Sequence, residues 1–355
     1  MLCYIFYGIF TQRGALVSKR RVELHYFSIV ALPICVFLVH EFVQTHMLPK
    51  DLDLSVGVLI ADQDWLETVG RYRFLAASWF FVALAILPVA VLVRNLRRPT
   101  ERATRLAAIL TVITVFCLAM IPVIQQHMTN TPPQIYGQVG KELFEMALSK
   151  GTLPGCDGPD DLWALGTCGD IPAFSLFRRV MDIVTALAGL AVGALIAGMI
   201  LCLSSGGGDD LEDTAASLAR SIRQMKQQLY LSSLILTFGM FFASSWMYWP
   251  LPVIAEAEKA AFSSLVTASA LFTGTYFCLL MLSFYLPVAL ILDGRVTQLA
   301  IAARQVDDTE DGFDVDDWRS THGLSDGPGD FMRAGIALAA PILAAFAGGI
   351  SPLSL

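Results

Sequence analysis

His40-Glu41 and His46 come nearest, in this chain, to residues that could bind zinc and activate water. A helical site of that kind needs two histidines at i and i+4 on one face, with a glutamate beside them as base. Six positions separate His40 from His46, so a helix points them to different faces. His127, next to Gln125 and Gln126, is a second isolated histidine. No Gly-x-Ser-x-Gly elbow, phosphate-binding Gly-rich loop or His-Glu-x-x-His run occurs in the sequence. His40, Glu41 and His127 therefore read as polar ends of apolar helices, with catalysis the lesser alternative. The expectation is a non-enzymatic protein with no catalytic residue, metal site or cofactor.

Of the seven cysteines, Cys156 and Cys168 stand alone in a polar stretch, Gly155-Cys156-Asp157-Gly158-Pro159-Asp160-Asp161, that suits no regular element. A disulfide between them would stabilise the loop by about 3 kcal/mol in chain-entropy terms, and an oxidising compartment would allow it. Cys35, Cys117, Cys202 and Cys278 fall in apolar blocks, where a thiol usually packs as a small hydrophobe. Cys3 lies in the short apolar segment Met1–Phe10, read as interfacial or as a truncated start.

The elements that must position these residues follow from composition. The chain of 355 residues is 55% hydrophobic and 15% charged, with a net charge of −7. Soluble domains carry about 25% charged residues, so a soluble enzyme, a disordered chain and a disulfide-rich secreted domain are excluded. The acidic balance argues against a nucleic-acid partner. The apolar residues gather into six blocks: Phe27–Val43, Phe74–Val93, Leu106–Ile124, Val180–Leu203, Leu229–Trp249 and Leu265–Leu292. Each approaches the ~20 residues a helix needs to cross hydrocarbon. They are continuous runs rather than alternating ones, so helices are expected and a barrel is not. The fold class is all-α, a polytopic integral membrane bundle of six transmembrane helices with a short cytoplasmic helical stalk and a C-terminal apolar helix.

Orientation follows from Lys and Arg. Sixteen of the 24 fall on one side, including Arg94, Arg97, Arg98, Arg102 and Arg105 in a single short loop. Both termini are then cytoplasmic. Residues 1–25 form the N-terminal segment, and 26–293 form the membrane domain. Its outer loops are 44–73 and 125–179 and its inner loops 94–105 and 204–228. Residues 294–330 make a stalk and acidic linker, and 331–355 the apolar C-terminal helix. Trp246, Tyr248, Trp249 and Pro250 suit an interfacial belt at the outer end. Gln138–Ser149 reads as a short amphipathic helix capping the outer face.

Ionisable residues are absent from the span centres, with Asp182 and Asp293 at the ends. The deep polar groups are hydroxyls such as Thr111, Thr114, Ser232, Ser233, Thr237, Thr273, Thr275 and Ser283. They are expected to bond back to their own helices, which disfavours a proton-coupled carrier. Thr185, Gly189, Gly193 and Ala197 recur every fourth residue and set one small-residue face along the fourth span. This favours close packing against a helix of the same chain, with another subunit as the alternative.

Leu211, Ala215, Leu218, Ile222, Met225 and Leu229 follow a heptad spacing into the fifth span, and Val296, Leu299, Ala303 and Val306 follow one out of the sixth. Paired, they would form a stalk carrying movement between cytosol and membrane; the alternative is a helix lying on headgroups. Asp307, Asp308, Glu310, Asp311, Asp314, Asp316 and Asp317 lack the ligand spacing of a calcium loop and read as a solvated linker. After the turn-rich Gly323–Gly329, the segment Phe331–Ile350, interrupted by Pro341, reads as a helix docked on the inner surface, or as a seventh or re-entrant span.

The function expected is that of a signal-responsive membrane effector or transducer, pore formation included, gated through its cytoplasmic helices. A transporter of an uncharged or lipidic solute and an accessory subunit of a larger complex are the alternatives. Compact loops, cytoplasmic positive charge and the outer cysteine pair point to a bacterial inner membrane. The partners expected are the lipid bilayer and either a second copy or another membrane or cytoplasmic protein.

Overall fold

The structure, a computed structural model, describes residues 21–47, 64–98, 100–129, 162–163, 166–167, 172–204, 211–249, 251, 256–306, 314–325 and 327–349. Cys156, Cys168, the segment Gln138–Ser149, residues 1–20 and most of the acidic linker lie outside these residues.

The described chain is a helical bundle. A 3-10 stretch, Leu24–Val30, runs on into α1, Ala31–His46. Then come α2, Asp64–Arg97, α3, Arg102–Ala119, and the short α4, Ile121–Thr129. A pair of two-residue strands, Leu162–Trp163 and Gly166–Thr167, precedes α5, Pro172–Ile200. The long helices α6, Leu211–Tyr248, and α7, Glu256–Val306, follow, then α8, Val315–Thr321, and α9, Pro328–Gly349. Among the described residues, 7 helical segments are long and apolar enough to cross a membrane: the six expected and α9. Pro88, Pro287 and Pro341 sit inside helices that continue past them; in hydrocarbon, unwinding there would cost more than the one hydrogen bond that each proline removes.

The axis of the bundle is α5. Its apolar window is 72% buried, against 11% for the first helix. Gly189 and Gly193 explain the difference, because a Cβ on either would press on α3: 2.6 Å from the Ala119 Cβ and 3.0 Å from the Val112 Cα. The small-residue face thus brings two helices of one chain to backbone contact. Ala197 is fully buried on the same face, and the Thr185 hydroxyl donates to the Met181 carbonyl.

Four expectations are corrected. Trp246 and Trp249 are 3% and 1% exposed, so they form no headgroup belt. They pack on Phe74, with ring centroids 5.2 and 5.3 Å away, because Gly70 lets α2 come close: a Cβ there would lie 2.9 Å from the Trp249 ring. Secondly, α2 begins ten residues before Phe74, at Asp64, which shortens the outer loop.

Thirdly, α9 packs along the bundle and not across one end of it. It lies in the groove between α6 and α7, with Gly274 of α7 facing the Pro341 carbonyl, the Ile342 Cα and Ala345 at 3.1–3.3 Å from where its Cβ would be. Ala344 and Ala345 join the same core cluster as Trp246, while Ala337 joins the one at the opposite end. Alanine and glycine insert weakly on their own, yet they fit this groove as larger residues would not.

Fourthly, part of the acidic linker is ordered helix. Trp318 of α8 is packed against the core, and the Arg319 guanidinium donates to Thr297 of α7 at 2.7 Å. The helix ends in a Schellman arrangement: Gly323 takes φ +66°, Leu324 N–H donates to the Arg319 carbonyl and Gly323 N–H to the Ser320 carbonyl.

Candidate functional site

A cavity of about 170 Å³ lies at mid-depth in the bundle, walled by α1, α3, α5, α6 and α7 with single contributions from α2 and α4. Its wall is mostly apolar. Pro33, Phe37, His40 and Gln44 enter from α1, and Val115 and Leu118 from α3. Ala188 and Gly189 come from α5, Ile235 and Gly239 from α6, and Thr273, Tyr276 and Leu280 from α7.

The small residues of α5 and α6 make the space. Gly189 brings α3 close on one side, and Gly239 admits the rings of Phe81 and Phe277 at 3.4 and 3.6 Å from a notional Cβ. Among the described residues α1 packs along α7 and makes no extended contact with α3 or α5. Val39 and Phe42 of α1 and Ile109 and Ile113 of α3 are exposed on the outside of the bundle.

His40 and Gln44 are the polar residues that α1 turns inward. They share a face with Pro33 and Phe37 at the spacing 4, 3, 4. The His40 ring stacks on Tyr276, centroids 3.8 Å apart, and on Phe272 at 5.2 Å. Its Nε2 is buried and has no hydrogen-bond partner among the described residues. Gln44 is 5% exposed, and neither its Oε1 nor its Nε2 has a partner there. Leaving such groups unsatisfied costs about 1–3 kcal/mol each. Both oxygens of Glu41, one position on, are likewise buried and unpartnered, although Glu41 does not line the cavity.

Two hydroxyls of the wall already have an acceptor: Thr185 donates to Met181 and Thr273 to Ser269, both within their own helices. The deep hydroxyls elsewhere behave alike, as Thr111, Ser232, Thr275 and Ser283 show. Thr237 is an exception, its hydroxyl buried without a partner.

His40 and His46 do not converge. His46 is exposed and turned to the Phe42 carbonyl. His127 meets the Asp182 carboxylate at 2.8 Å, joining α4 to α5 at the surface. Among the described residues no three His, Cys, Asp or Glu side chains come together as a metal site.

The two heptad series do not stand free as a stalk. Ala215, Leu218, Met225 and Leu229 of α6 and Val296 of α7 are buried in one cluster with Leu203, Ala337 and Leu324, and Ile222 and Leu299 pack on it. Ala303 is buried, Leu211 is half-buried, and Val306 ends α7. Arg295 of α7 donates to the Leu203 carbonyl at 2.8 Å, and Lys226 of α6 to Asp330 of α9 at 2.8 Å. Both series are thus packed together with residues that follow α5 and α8 and with α9, rather than against each other alone.

Comparison with protein-family models, curated proteins and solved structures finds no match to this chain.

Gln44 went unremarked in the sequence because an amide near a helix end is ordinary there. The signal that marks it is its place four residues after His40 on the face of Phe37 and Pro33.

Proposed function

We propose that this chain is a multi-pass membrane protein that binds an uncharged, lipid-soluble molecule in the cavity between α1, α3, α5, α6 and α7. The observation that carries this reading is the cavity itself: mostly apolar walls between helices long and apolar enough to cross a membrane, a few inward polar groups and no charged residue among the described residues of the lining. Binding sites for small molecules have this composition. An ion or a charged solute would have to shed its hydration with nothing opposite to replace it. An engineered apolar cavity of about 150 Å³ takes a molecule the size of benzene, so a ring or the first part of an acyl chain suits this one. Because α1 makes no extended contact with α3 or α5 among the described residues, the edge of α1 offers a route from the lipid.

The test is photolabelling of the full-length protein in lipid nanodiscs with an octanol carrying a diazirine, followed by mass spectrometry of the labelled residues. Saturable labelling on α1, α5 or α7, lost in Ala188→Phe, is the expected result. Non-saturable labelling spread over the outward faces would overturn the reading.

A transducing role has its own support. The helices α6 and α7 run unbroken from the cavity wall to the basic end, where Lys226, Arg295 and Arg319 tie them to neighbouring elements. A ligand that moved Ile235 or Tyr276 would therefore move those ties. A carrier would show ligand-dependent exchange between leaflets, whereas a transducer would show ligand-dependent protection at Lys226 and Arg319. We place the basic end in the cytoplasm, in a bacterial inner membrane, on the distribution of arginine. With α9 as a seventh crossing, the end of the chain then faces the opposite side.

A further inference from the structure

Resting on the binding role above, we infer that Gln44 and His40 form a head-recognition subsite selecting an uncharged amphiphile whose head both donates and accepts a hydrogen bond, a fatty alcohol or fatty amide. Gln44 is 5% exposed and lines the cavity, yet its amide oxygen and nitrogen both lack a partner among the described residues. His40, one turn earlier on the same face, holds its Nε2 buried and unpartnered while its ring is fixed against Tyr276.

A buried primary amide is a matched pair of requirements: the nitrogen must donate and the oxygen must accept. The His40 Nε2 takes either role according to its tautomer. The protons of the two wall threonines are already committed, since Thr185 and Thr273 donate within their own helices. A ligand that only accepts, or only donates, leaves half of the Gln44 amide unsatisfied. A hydroxyl or an amide completes it.

Charge excludes the neighbouring classes. A fatty carboxylate would be desolvated with no cation among the described residues of the lining, and an ammonium would find no anion among them, since Glu41 is not one of the residues that line the cavity. The tail has an apolar path: from Gln44 the α1 face leads through Phe37 to Pro33, a rise of roughly 16 Å, beside Leu280 of α7. A site built for a hydrogen-bonding head discriminates strongly against the analogue that lacks it, because its own polar groups are then buried unpaired.

The experiment is competition against the diazirine octanol on the full-length protein in nanodiscs, using 1-octanol, octanamide, octane, octylamine and octanoate. After correction for their partition into lipid, 1-octanol and octanamide are expected to compete about tenfold better than octane, with octylamine and octanoate no better than octane. In Gln44→Leu, and in the length-matched Gln44→Met, that advantage shrinks to about twofold or less, while octane competes as before. Both substitutions remove a buried unsatisfied amide, so the variants are expected to fold. An undiminished advantage in both variants, or octylamine as the best competitor, overturns the head subsite while saturable labelling still upholds the cavity. Loss of saturable labelling for every compound in the unaltered protein overturns the binding role and the subsite together.

Discussion

Gly189 of α5 faces Ala119 of α3 so closely that a Cβ on the glycine would lie 2.6 Å from the alanine Cβ. Real Cβ atoms do not approach so near, so the two helices could not keep this distance with any other residue at 189. The contact is what allows α5 to serve as the axis around which the cavity is walled.

Replacement of Gly189 by leucine should therefore destabilise the bundle by at least about 1–3 kcal/mol, the usual range for overpacking. Gly294 of α7 is a control, because a Cβ there meets nothing within 4 Å. Gly294→Ala should be neutral or stabilising by about 0.4–1 kcal/mol. Thermal unfolding of both variants in one detergent checks the contrast, and equal losses would contradict the α3–α5 packing.

Gln44→Leu should raise the melting temperature of the ligand-free protein. Removal of an unsatisfied buried amide recovers about 1–3 kcal/mol of desolvation cost, and leucine suits the apolar wall. A melting temperature lowered by the substitution would mean that Gln44 already has a structural partner.

Insertion of a bulky residue at Gly274 should expel α9 from its groove. Gly274→Leu puts a side chain where Pro341, Ile342 and Ala345 now lie, and should expose the α9 backbone to hydrogen exchange. Unchanged protection of 334–345 in that variant would place α9 elsewhere.

Seven crossings predict opposite sides for the two ends of the chain. A membrane-impermeant thiol reagent should reach a cysteine appended after residue 355 from the side opposite to one appended before Met1. Labelling of both from the same side would return the count to an even number.

The Lys226–Asp330 ion pair joins α6 to α9 across 104 positions of sequence. Asp330→Lys would set two cations together and should increase proteolysis near the start of α9, and the double variant Lys226→Asp with Asp330→Lys should restore the protection. A double variant as labile as the single one would show that the pair does not hold the two helices.

The sequence by itself determined the solvent and the secondary structure. Apolar runs of membrane length admit only helices or closed barrels, so the apolar parts of α1, α2, α3, α5, α6 and α7 could be read, although α2 and α6 begin well before their runs and α7 ends well after its own. The repeat Thr185, Gly189, Gly193, Ala197 named a packing face correctly in kind, because small residues at that spacing have a purely local geometric meaning. Tertiary structure alone decided the partner of each face. An apolar surface facing lipid and one facing another helix have the same composition, so Trp246 and Trp249 read as an interfacial belt until Gly70 brought α2 against them. Phe331–Ile350 read as a surface helix until the groove at Gly274 received it. The site followed the same rule: His40 was visible by type, but its inward direction depended on Tyr276, 236 positions away, and Gln44 acquired meaning only from a cavity that five separate helices enclose.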